Sequence, residues 1–225
     1  LVYAMRATRA EATASSQYIS VSAHRGGARK APENTMSAIK YAVDSMSDYA
    51  EIDVQETSDG EIVLMHDTNP VSYTHLTLNI EVKYNGHNQN IVKKVVKIIE
   101  DNDFVDQCVL TSMNYNFLRQ AKKINPDIKT GYTMKMSYGG LEDMDAADFF
   151  SVKYTYITES FVEHAHSLGK EVCAWTLNYQ GDMQRMVNCG VDNIITDDPE
   201  LVRKVILGTT DRNPGFVSLL GYALK

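Results

Sequence analysis

Residues 171 to 197, EVCAWTLNYQGDMQRMVNCGVDNIITD, carry the alternation that decides the fold. Two β-rich runs, 171 to 177 and 193 to 197, enclose a helical segment that ends on Gly190. Glycine is the residue that most easily takes the left-handed conformation after a helix. A strand, a helix and a second strand in so short a stretch predict a βαβ unit with parallel strands.

The same alternation extends towards the N-terminus. Eight β-rich runs lie at residues 18–24, 49–56, 78–83, 107–112, 129–134, 149–154, 171–177 and 193–197. Two of the segments between them place apolar residues on one helical stripe: Met36, Ile39, Val43 and Met46, and Ile91, Val92, Val95, Val96 and Ile99. Eight strands with intervening helices predict a (β/α)8 TIM barrel, and a doubly wound open sheet is the alternative.

Composition and charge limit the classes of partner. The chain has 225 residues, of which 44% are hydrophobic, so it can bury a sizeable core as one globular unit. Its formal net charge is -7 and its pI is about 5.4, and no run of lysine or arginine forms a basic stripe. Nucleic acid is therefore not an expected partner. A phosphate bound here should be small and held by a few local cations.

The three cysteines give no sign of a disulfide framework or a zinc site. Cys108, Cys173 and Cys189 are widely spaced, odd in number and without a CxxC pair. We interpret them as small buried residues.

The two ends of the chain differ from the centre. We interpret residues 1–17 as a linker or frayed N-terminal segment, 18–208 as the barrel and 209–225 as a C-terminal tail. Neither end has an apolar run long enough for the core of a signal peptide or for a membrane span. The start at Leu1 favours an absent upstream segment, through which the domain would associate with a membrane.

One connection is unusually short. Only residues 67–77, DTNPVSYTHLT, separate the end of IVLMHD from the β-rich run at 78–83, and they show no helical stripe. A parallel crossover normally needs a dozen residues or more, usually with a helix. Either the barrel lacks its second helix, or the sequence is joined across a missing segment.

Charged residues lie where a buried strand should be apolar. Glu51 and Asp53 share one strand face, as do Glu81 and Lys83 on the next predicted barrel strand. Three carboxylates on neighbouring strands would converge, and they would repel one another without a cation between them. Oxygen ligands favour a hard divalent ion, Mg²⁺ or Ca²⁺. The alternative is that each acid ends a strand and reaches solvent or an arginine.

Two histidines and one arginine stand at predicted strand ends, where barrel active sites are built. His24 closes the first β-rich run and His66 follows IVLM, so the pair could divide general acid and general base work. Arg25 offers a guanidinium suited to a phosphate, with Lys83 as a second cation. Gly26 and Gly27 would let the backbone approach a bound anion. We interpret His164 and His166 as surface or packing residues.

These residues belong to a set of motifs that resembles one family. The motifs are AHRGGARKAPENT (23–35), AEIDV (50–54), GEIVLMHD (60–67), LNIEVK (78–83), VCAWTLN (172–178) and GVDNIITDDPE (190–200). In this order they are similar to the glycerophosphodiester phosphodiesterases, barrels of the phospholipase C-like phosphodiesterase type. The similarity runs from about Tyr18 to Ile206.

The resemblance implies an activity and a set of roles. The family hydrolyses glycerophosphodiesters to sn-glycerol 3-phosphate and an alcohol with a divalent metal, and its members serve lipid and glycerol metabolism. By resemblance, the metal ligands are Glu51, Asp53 and Glu81, the acid and base are His24 and His66, the phosphate-binding residues are Arg25 and Lys83, the supporting residue is Glu33, and the residue lining the glycerol pocket is Trp175. From its place in the sequence alone, Trp175 could equally be a core residue.

The resemblance has one departure and leaves other readings open. Relatives carry a long insertion after the position of Asp67, which holds a small subdomain and the second barrel helix. One alternative is a non-catalytic phosphoglycerol-binding or regulatory domain of a membrane protein. Another keeps the chemistry but takes lysophospholipids or polyglycerol phosphate as substrate. Because relatives with these motifs often follow transmembrane helices, an extracellular or membrane-anchored location is the expectation.

Overall fold

The computed structural model describes residues 18–63, 76–86, 90–136 and 140–208. The described strands are β1 Ser20–Ala23, β2 Tyr49–Glu56, β3 Ile62–Val63, β4 Thr77–Val82, β5 Cys108–Ser112, β6 Lys129–Met134, β7 Phe149–Lys153, β8 Glu171–Trp175 and β9 Asn193–Thr196. The α-helices are α1 Met36–Asp44, α2 Ile91–Asp101, α3 Tyr115–Ile124, α4 Glu159–Ser167, α5 Gln180–Cys189 and α6 Pro199–Ile206. The predictions for residues 1–17, 209–225 and His66, and most of the short 67–77 connection, lie outside the described residues.

The sheet closes on itself. Eight strands pair in parallel in the order β1, β2, β4, β5, β6, β7, β8 and β9, and β9 pairs back with β1. This confirms the predicted (β/α)8 barrel and excludes the open doubly wound sheet. The two-residue strand β3 pairs antiparallel with β2 and stands outside this order. The β-rich runs of the sequence did not predict this small hairpin.

The outer faces of β2 and β4 are covered although the described residues between these strands include no helix. Buried residues of β2, β4 and α2 share one apolar cluster: Ile52, Val54, Ile80, Val82, Ile91 and Val95. Lys94 of α2 also donates to Glu56 Oε1 at 2.6 Å and to the carbonyl oxygen of Gly60, between β2 and β3. Helix α2 therefore fastens the hairpin to the barrel and shields this side of it.

The interior of the barrel has its own small apolar cluster. Val109, Phe149, Cys173 and Ile195 come from four different strands and pack together. Gly131 makes room for this cluster, because a Cβ atom there would lie 2.3 Å from the Phe149 ring. Burial raises the pKa values of the Cys108 and Cys173 thiols, that of Cys108 to about 12. Cys189 differs from the prediction in being only partly buried.

Helix α1 packs through small residues. Its buried side chains are Ala38 and Ala42, whereas Met46, at the predicted end of its apolar stripe, lies beyond the helix and is 64% exposed. The predicted stripe was wrong only at Met46, because Ile39 and Val43 are partly buried and pack against the barrel beside the two alanines. No helix in the described part of the chain is both long and apolar enough to cross a bilayer.

A cavity of about 380 Å³ opens at the N-terminal ends of the strands. Its lining includes Ser20, Tyr49, Asn79, Lys129 and Glu171. None of the described residues with a predicted catalytic, metal-binding or phosphate-binding role lines it. Barrel active sites form at the opposite, C-terminal ends, where the acidic cluster lies.

Candidate active site

The C-terminal ends of the barrel strands bring the predicted residues together. His24 and Arg25 follow β1, Glu51 and Asp53 lie in β2, Glu81 and Lys83 lie at the end of β4, and Trp175 ends β8. The parallel register places Asp53 directly beside Glu81. Because alternate strand residues share a face, both carboxylates point into the barrel with Glu51 one step below.

The three carboxylates form a compact cluster. One oxygen from each of Glu51, Asp53 and Glu81 lies within 4.8 Å of the other two. Glu51 is 3% exposed, and in the described part of the chain its Oε1 accepts no hydrogen bond. Burial, with the charges of Asp53 and Glu81, raises the pKa of Glu51 to about 7, although His24 and the Arg25 amide oppose the shift. A positive charge beside the cluster would therefore stabilise its carboxylates in the ionised form.

Two cationic side chains partly neutralise the charge of the cluster. Lys83 Nζ lies 3.0 Å from Asp53 Oδ1 and 2.9 Å from Glu81 Oε1. Burial lowers the pKa of Lys83, but the two carboxylates more than offset this and leave the pKa raised, so the ammonium stays charged. Arg25 Nε lies 3.2 Å from Asp53 Oδ2, and its Nη1 donates to Glu33 Oε2 at 2.7 Å. Glu33 thus orients the guanidinium beside the cluster.

His24 is held between two acids. Its Nδ1 lies 2.7 Å from Asp197 Oδ1, and its Nε2 faces Glu51 Oε2 at 4.0 Å. Burial lowers the pKa of His24, yet the hydrogen bond to Asp197 and the charges of Glu51 and Asp197 leave it raised overall. Asn178 donates to the second Asp197 oxygen at 2.6 Å, so the carboxylate is itself fixed. One ring nitrogen is anchored and the other points towards the acidic cluster.

The turn after β1 has a strained but well-supported backbone. Arg25 has a φ of 52°, and its amide donates to Glu51 Oε2 at 2.8 Å. Gly26 and Gly27 continue with φ values of 82° and 103°. Cβ atoms on them would lie 2.6 Å from Ala38 Cβ and 2.6 Å from the Tyr41 ring. These glycines therefore let the turn pack directly against α1, and the prediction that they also let the backbone approach an anion stays a prediction.

Trp175 is partly core and partly at the rim. Its indole Nε1 donates to the carbonyl of Ser151 at 3.0 Å, and the ring packs against the interior cluster of the barrel. Because it stands at the C-terminal end of β8 and remains partly exposed, one edge faces the open end. This position is compatible with Trp175 as a core residue and with Trp175 as a residue lining the glycerol pocket.

The donor set suits a hard divalent ion. Glu51, Asp53 and Glu81 supply only carboxylate oxygens, which Mg²⁺ and Ca²⁺ prefer. The buried Glu51 Oε1 without a hydrogen bond, and the raised pKa of that carboxyl group, are what a missing cation would leave behind. These three residues would hold the ion, and Lys83 and Arg25 border them.

Sequence reasoning missed three residues of the site. Asp197 and Asn178 hold His24, and Asn34 brackets Asp53 by accepting from its amide at 3.0 Å and facing its Oδ2 at 3.5 Å. The signal for Asp197 was present, since it follows a buried strand at the same end of the barrel as His24. The amides gave no comparable signal, because asparagine is common in turns.

The sequence of the chain is similar to those of known proteins. The sequence pattern of the Glycerophosphoryl diester phosphodiesterase family matches residues 24–77 and 71–201. The glycerophosphodiester phosphodiesterase of Caldanaerobacter subterraneus subsp. tengcongensis is 31% identical over 245 aligned positions, which cover 82% of this chain and 98% of that relative. This aligned span exceeds the 225 residues of the chain, so the relative carries residues that this chain lacks. The two matched segments meet at the short connection.

Solved structures share the fold. A putative glycerophosphoryl diester phosphodiesterase from Silicibacter pomeroyi superposes with a TM-score of 0.75 at 18% identity, covering 86% of this chain and 94% of its own. An Oleispira antarctica phosphodiesterase, solved with the product sn-glycerol-3-phosphate, gives 0.72 at 22% identity and covers 84% and 97%. At these identities the likeness concerns the barrel. With the family pattern across most of the described barrel and a full-length relative above 30% identity, the chain belongs to the glycerophosphoryl diester phosphodiesterase family.

Proposed function

We propose that this protein hydrolyses glycerophosphodiesters to sn-glycerol 3-phosphate and an alcohol, with one divalent cation, Mg²⁺ or Ca²⁺. Membership of the family and the product named for the Oleispira antarctica structure support the substrate class. The observation that carries the metal dependence is the cluster of three carboxylates, the buried Glu51 and the largely buried Asp53 and Glu81, whose oxygens lie within 4.8 Å of one another. When bound, the cation neutralises charge on the phosphate and on the transition state that follows.

Arg25 and Lys83 bind the phosphate in this proposal. Both stand beside the carboxylate cluster, and both side chains are about one-third exposed, so a substrate can reach them. A phosphodiester carries a negative charge that repels nucleophiles, and the charge on its non-bridging oxygens increases in the transition state. Fixed cations stabilise that charge without having to reorganise.

His24 and His66 share the proton transfers. The 2-hydroxyl group of the glycerol moiety attacks phosphorus, one histidine accepts its proton, and the other donates a proton to the leaving alcohol oxygen as its bond to phosphorus breaks. Water then adds to the cyclic phosphate and opens it to sn-glycerol 3-phosphate. Asp197 keeps the His24 ring in place with Nε2 free to face the substrate. His66 enters this scheme from its position in the sequence and its resemblance to the family motif.

The experiment measures release of glycerol 3-phosphate from glycerophosphocholine. We expect turnover with Mg²⁺ or Ca²⁺ and none after EDTA treatment. His24→Ala and His66→Ala should each lower turnover about 100-fold or more while metal affinity, measured by calorimetry, stays near that of the wild type. Glu51→Gln should instead weaken metal binding. His164→Ala is the control, because His164 is an exposed residue of α4.

The alternative is a non-catalytic phosphoglycerol-binding domain. A binding domain has no need for a histidine whose ring is fixed by a hydrogen-bonded carboxylate, so the His24–Asp197–Asn178 arrangement favours the enzyme. Binding of glycerophosphocholine without turnover in any divalent metal would overturn the proposed activity. Full activity in either histidine variant would overturn its acid or base role.

A further inference from the structure

Exposed apolar side chains concentrate around the open end of the barrel. In the described residues, ten large apolar side chains are exposed. Five of them follow five consecutive barrel strands, β4 to β8, and we call them the apolar arc: Tyr84, Met113, Met136, Tyr156 and Tyr179. The C-terminal ends of these strands border the candidate active site, so the arc forms more than half of its rim.

The exposure of these side chains is high for their size. Tyr179 is 74% exposed and Tyr84 is 70% exposed. A single exposed apolar residue on a soluble protein needs no explanation, whereas a group on adjacent loops marks a surface that contacts something else. The other exposed apolar residues are dispersed: Tyr18, Met46 and Ile124 at the opposite end, Ile98 on the outside of α2 and Val63 in the hairpin.

The loops that carry the arc have an unusual charge. Lys83, Lys135 and Lys153 stand at the ends of β4, β6 and β7, and the described residues 83–86, 135–136 and 153–158 include no aspartate or glutamate. This contrasts with a chain whose net charge is -7. The acids that follow these loops in sequence lie in the next helical turns: Glu142 and Asp143 in the 3-10 turn Leu141–Asp143, and Glu159 and Asp182 in the first turns of α4 and α5.

Among the residues that the structure describes, the remaining part of the rim is polar. The loops after β1, β2 and β9 carry Arg29, Lys30, Asp59, Glu61 and Asp198. Arg29 and Asp198 form an ion pair at 2.9 Å. The rim is therefore divided into a polar side and a side that combines tyrosine, methionine and lysine.

We propose that the apolar arc docks the open end of the barrel onto an anionic lipid surface. Tyrosine prefers the interface between water and acyl chains, and methionine supplies adaptable apolar contact. Exposed lysines near such a surface are attracted to its negative head groups. The arc extends over five loops instead of lining a groove, which matches a broad surface better than a single acyl chain or peptide. The inference rests on the proposed function only in that the docked opening is the proposed active site.

The test uses vesicles and needs no substrate. Trp175 is the only tryptophan of the chain and stands at the end of β8, beside the arc. Its fluorescence should be transferred to a dansyl-labelled lipid when the protein docks on vesicles of phosphatidylcholine and phosphatidylserine. Sedimentation with the same vesicles gives the bound fraction. We expect clear binding at low salt, weaker binding at high salt, and at least about tenfold weaker binding to pure phosphatidylcholine.

Two variants test the side chains, each with a matched control. The arc variant combines Met113→Ser, Met136→Ser, Tyr156→Ser and Tyr179→Ser. Its control removes exposed apolar side chains elsewhere and combines Met46→Ser, Ile98→Ser and Ile124→Ser. The charge variant combines Lys135→Glu and Lys153→Glu. Its control reverses the charge of two exposed lysines on α2 and α3 and combines Lys93→Glu and Lys123→Glu. Each test variant should bind anionic vesicles about tenfold or more weakly than its control.

Activity on soluble glycerophosphocholine separates this inference from the proposed function. None of the substituted residues belongs to the proposed catalytic or metal-binding set, so we expect turnover of this substrate to stay within about twofold in every variant. Absence of vesicle binding by the wild-type protein would overturn the docking proposal while leaving the enzymatic one intact. Equal vesicle binding by the arc variant and its control would also overturn the docking proposal. So would stimulation of turnover by monomeric lysophosphatidylcholine in a protein that does not bind vesicles.

Discussion

Asp197 decides how the His24 ring is presented. It lies 2.7 Å from Nδ1, and that hydrogen bond, more than any other contact, lowers the pKa of the Asp197 carboxyl group. A charged acceptor at Nδ1 fixes the proton there and leaves Nε2 for the reacting molecule. Asp197 is thus a positioning residue that acts through His24 and touches neither the phosphate nor the metal cluster in this proposal.

Asp197→Asn tests this positioning role. An amide in place of the carboxylate removes the charged acceptor and weakens the preference for one ring orientation. We expect turnover of glycerophosphocholine to fall about 10- to 100-fold with a changed pH profile, and metal affinity to stay close to wild type. Asp192→Asn is a matched control, because Asp192 lies 2.8 Å from the His166 ring at the other end of the barrel. An unchanged pH profile and rate in Asp197→Asn would contradict the role.

The carboxylate cluster could be predicted from the sequence more directly than Asp197, the anchor of His24. Glu51, Asp53 and Glu81 interrupt strands that should be apolar, and strand alternation alone gives them a common face. Asp197 stands in a TDDPE run, where an aspartate before proline is read as a helix cap. Asp198 does cap α6, by accepting from the Leu201 amide at 3.1 Å. Two adjacent aspartates therefore had different functions that local pattern does not separate.

At the scale of elements, the turn after β1 depends on α1. Thr35 caps this helix, and Ala38 and Ala42 let it approach β1 closely. Gly26 lies against Ala38, so the turn that presents His24 and Arg25 fits directly onto the helix. This contact explains why the fully buried residues of α1 are the small Ala38 and Ala42, beside which Ile39 and Val43 are partly buried.

Gly26→Ala should destabilise the protein and disturb the site. A Cβ atom at this position meets Ala38 Cβ at 2.6 Å and the Ala38 carbonyl carbon at 2.7 Å, and φ is +82°. Overpacking and backbone strain together should lower the free energy of unfolding by about 2 kcal/mol or more, measured by urea denaturation. Gly169→Ala is the control, since its φ is +71° but nothing lies within 4 Å. A loss of only about 1 kcal/mol in both variants would show that packing against α1 is unimportant.

Most elements could be located from the sequence because their periodicity is strong. The eight predicted strands end within one or two residues of those observed, and the stripe of α2 is buried as predicted. Strand β3 was missed because two residues, Ile62 and Val63, are too few to show a period. Its pairing with β2 comes from the Thr57–Glu61 turn, where Thr57 and Glu61 exchange backbone and side-chain hydrogen bonds.

At the scale of the whole molecule, the site concentrates negative charge in the barrel. Glu51, Asp53 and Glu81 repel one another, and only part of that repulsion is offset by Lys83. A divalent cation bound in the folded state, and not in the unfolded chain, should stabilise the fold by mass action. Metal binding and global stability are therefore linked.

Mg²⁺ or Ca²⁺ should raise the unfolding temperature. At about 100 times the dissociation constant, the gain of about 2.7 kcal/mol corresponds to roughly 5 to 10 °C for a domain of this size. EDTA should reverse the shift, and Glu51→Gln should remove most of it, as followed by circular dichroism. Glu163→Gln, at an exposed position on α4, should respond like the wild type. A Glu51→Gln protein with a full thermal response would place the cation elsewhere.

The pairing of β2 with β4 has a consequence for how this family can diversify. Six consecutive residue pairs, from Tyr49 with Thr77 to Val54 with Val82, set Asp53 next to Glu81. The pairing register of the two strands, and not the length of the chain that joins them, therefore fixes the relative positions of these two acids. A foreign module spliced between Val63 and Thr77 would leave the acids aligned, whereas one residue inserted between Leu78 and Glu81 would turn Glu81 outwards. Evolution, or a designer, can therefore replace the segment between Val63 and Thr77 without changing the alignment of the site carboxylates.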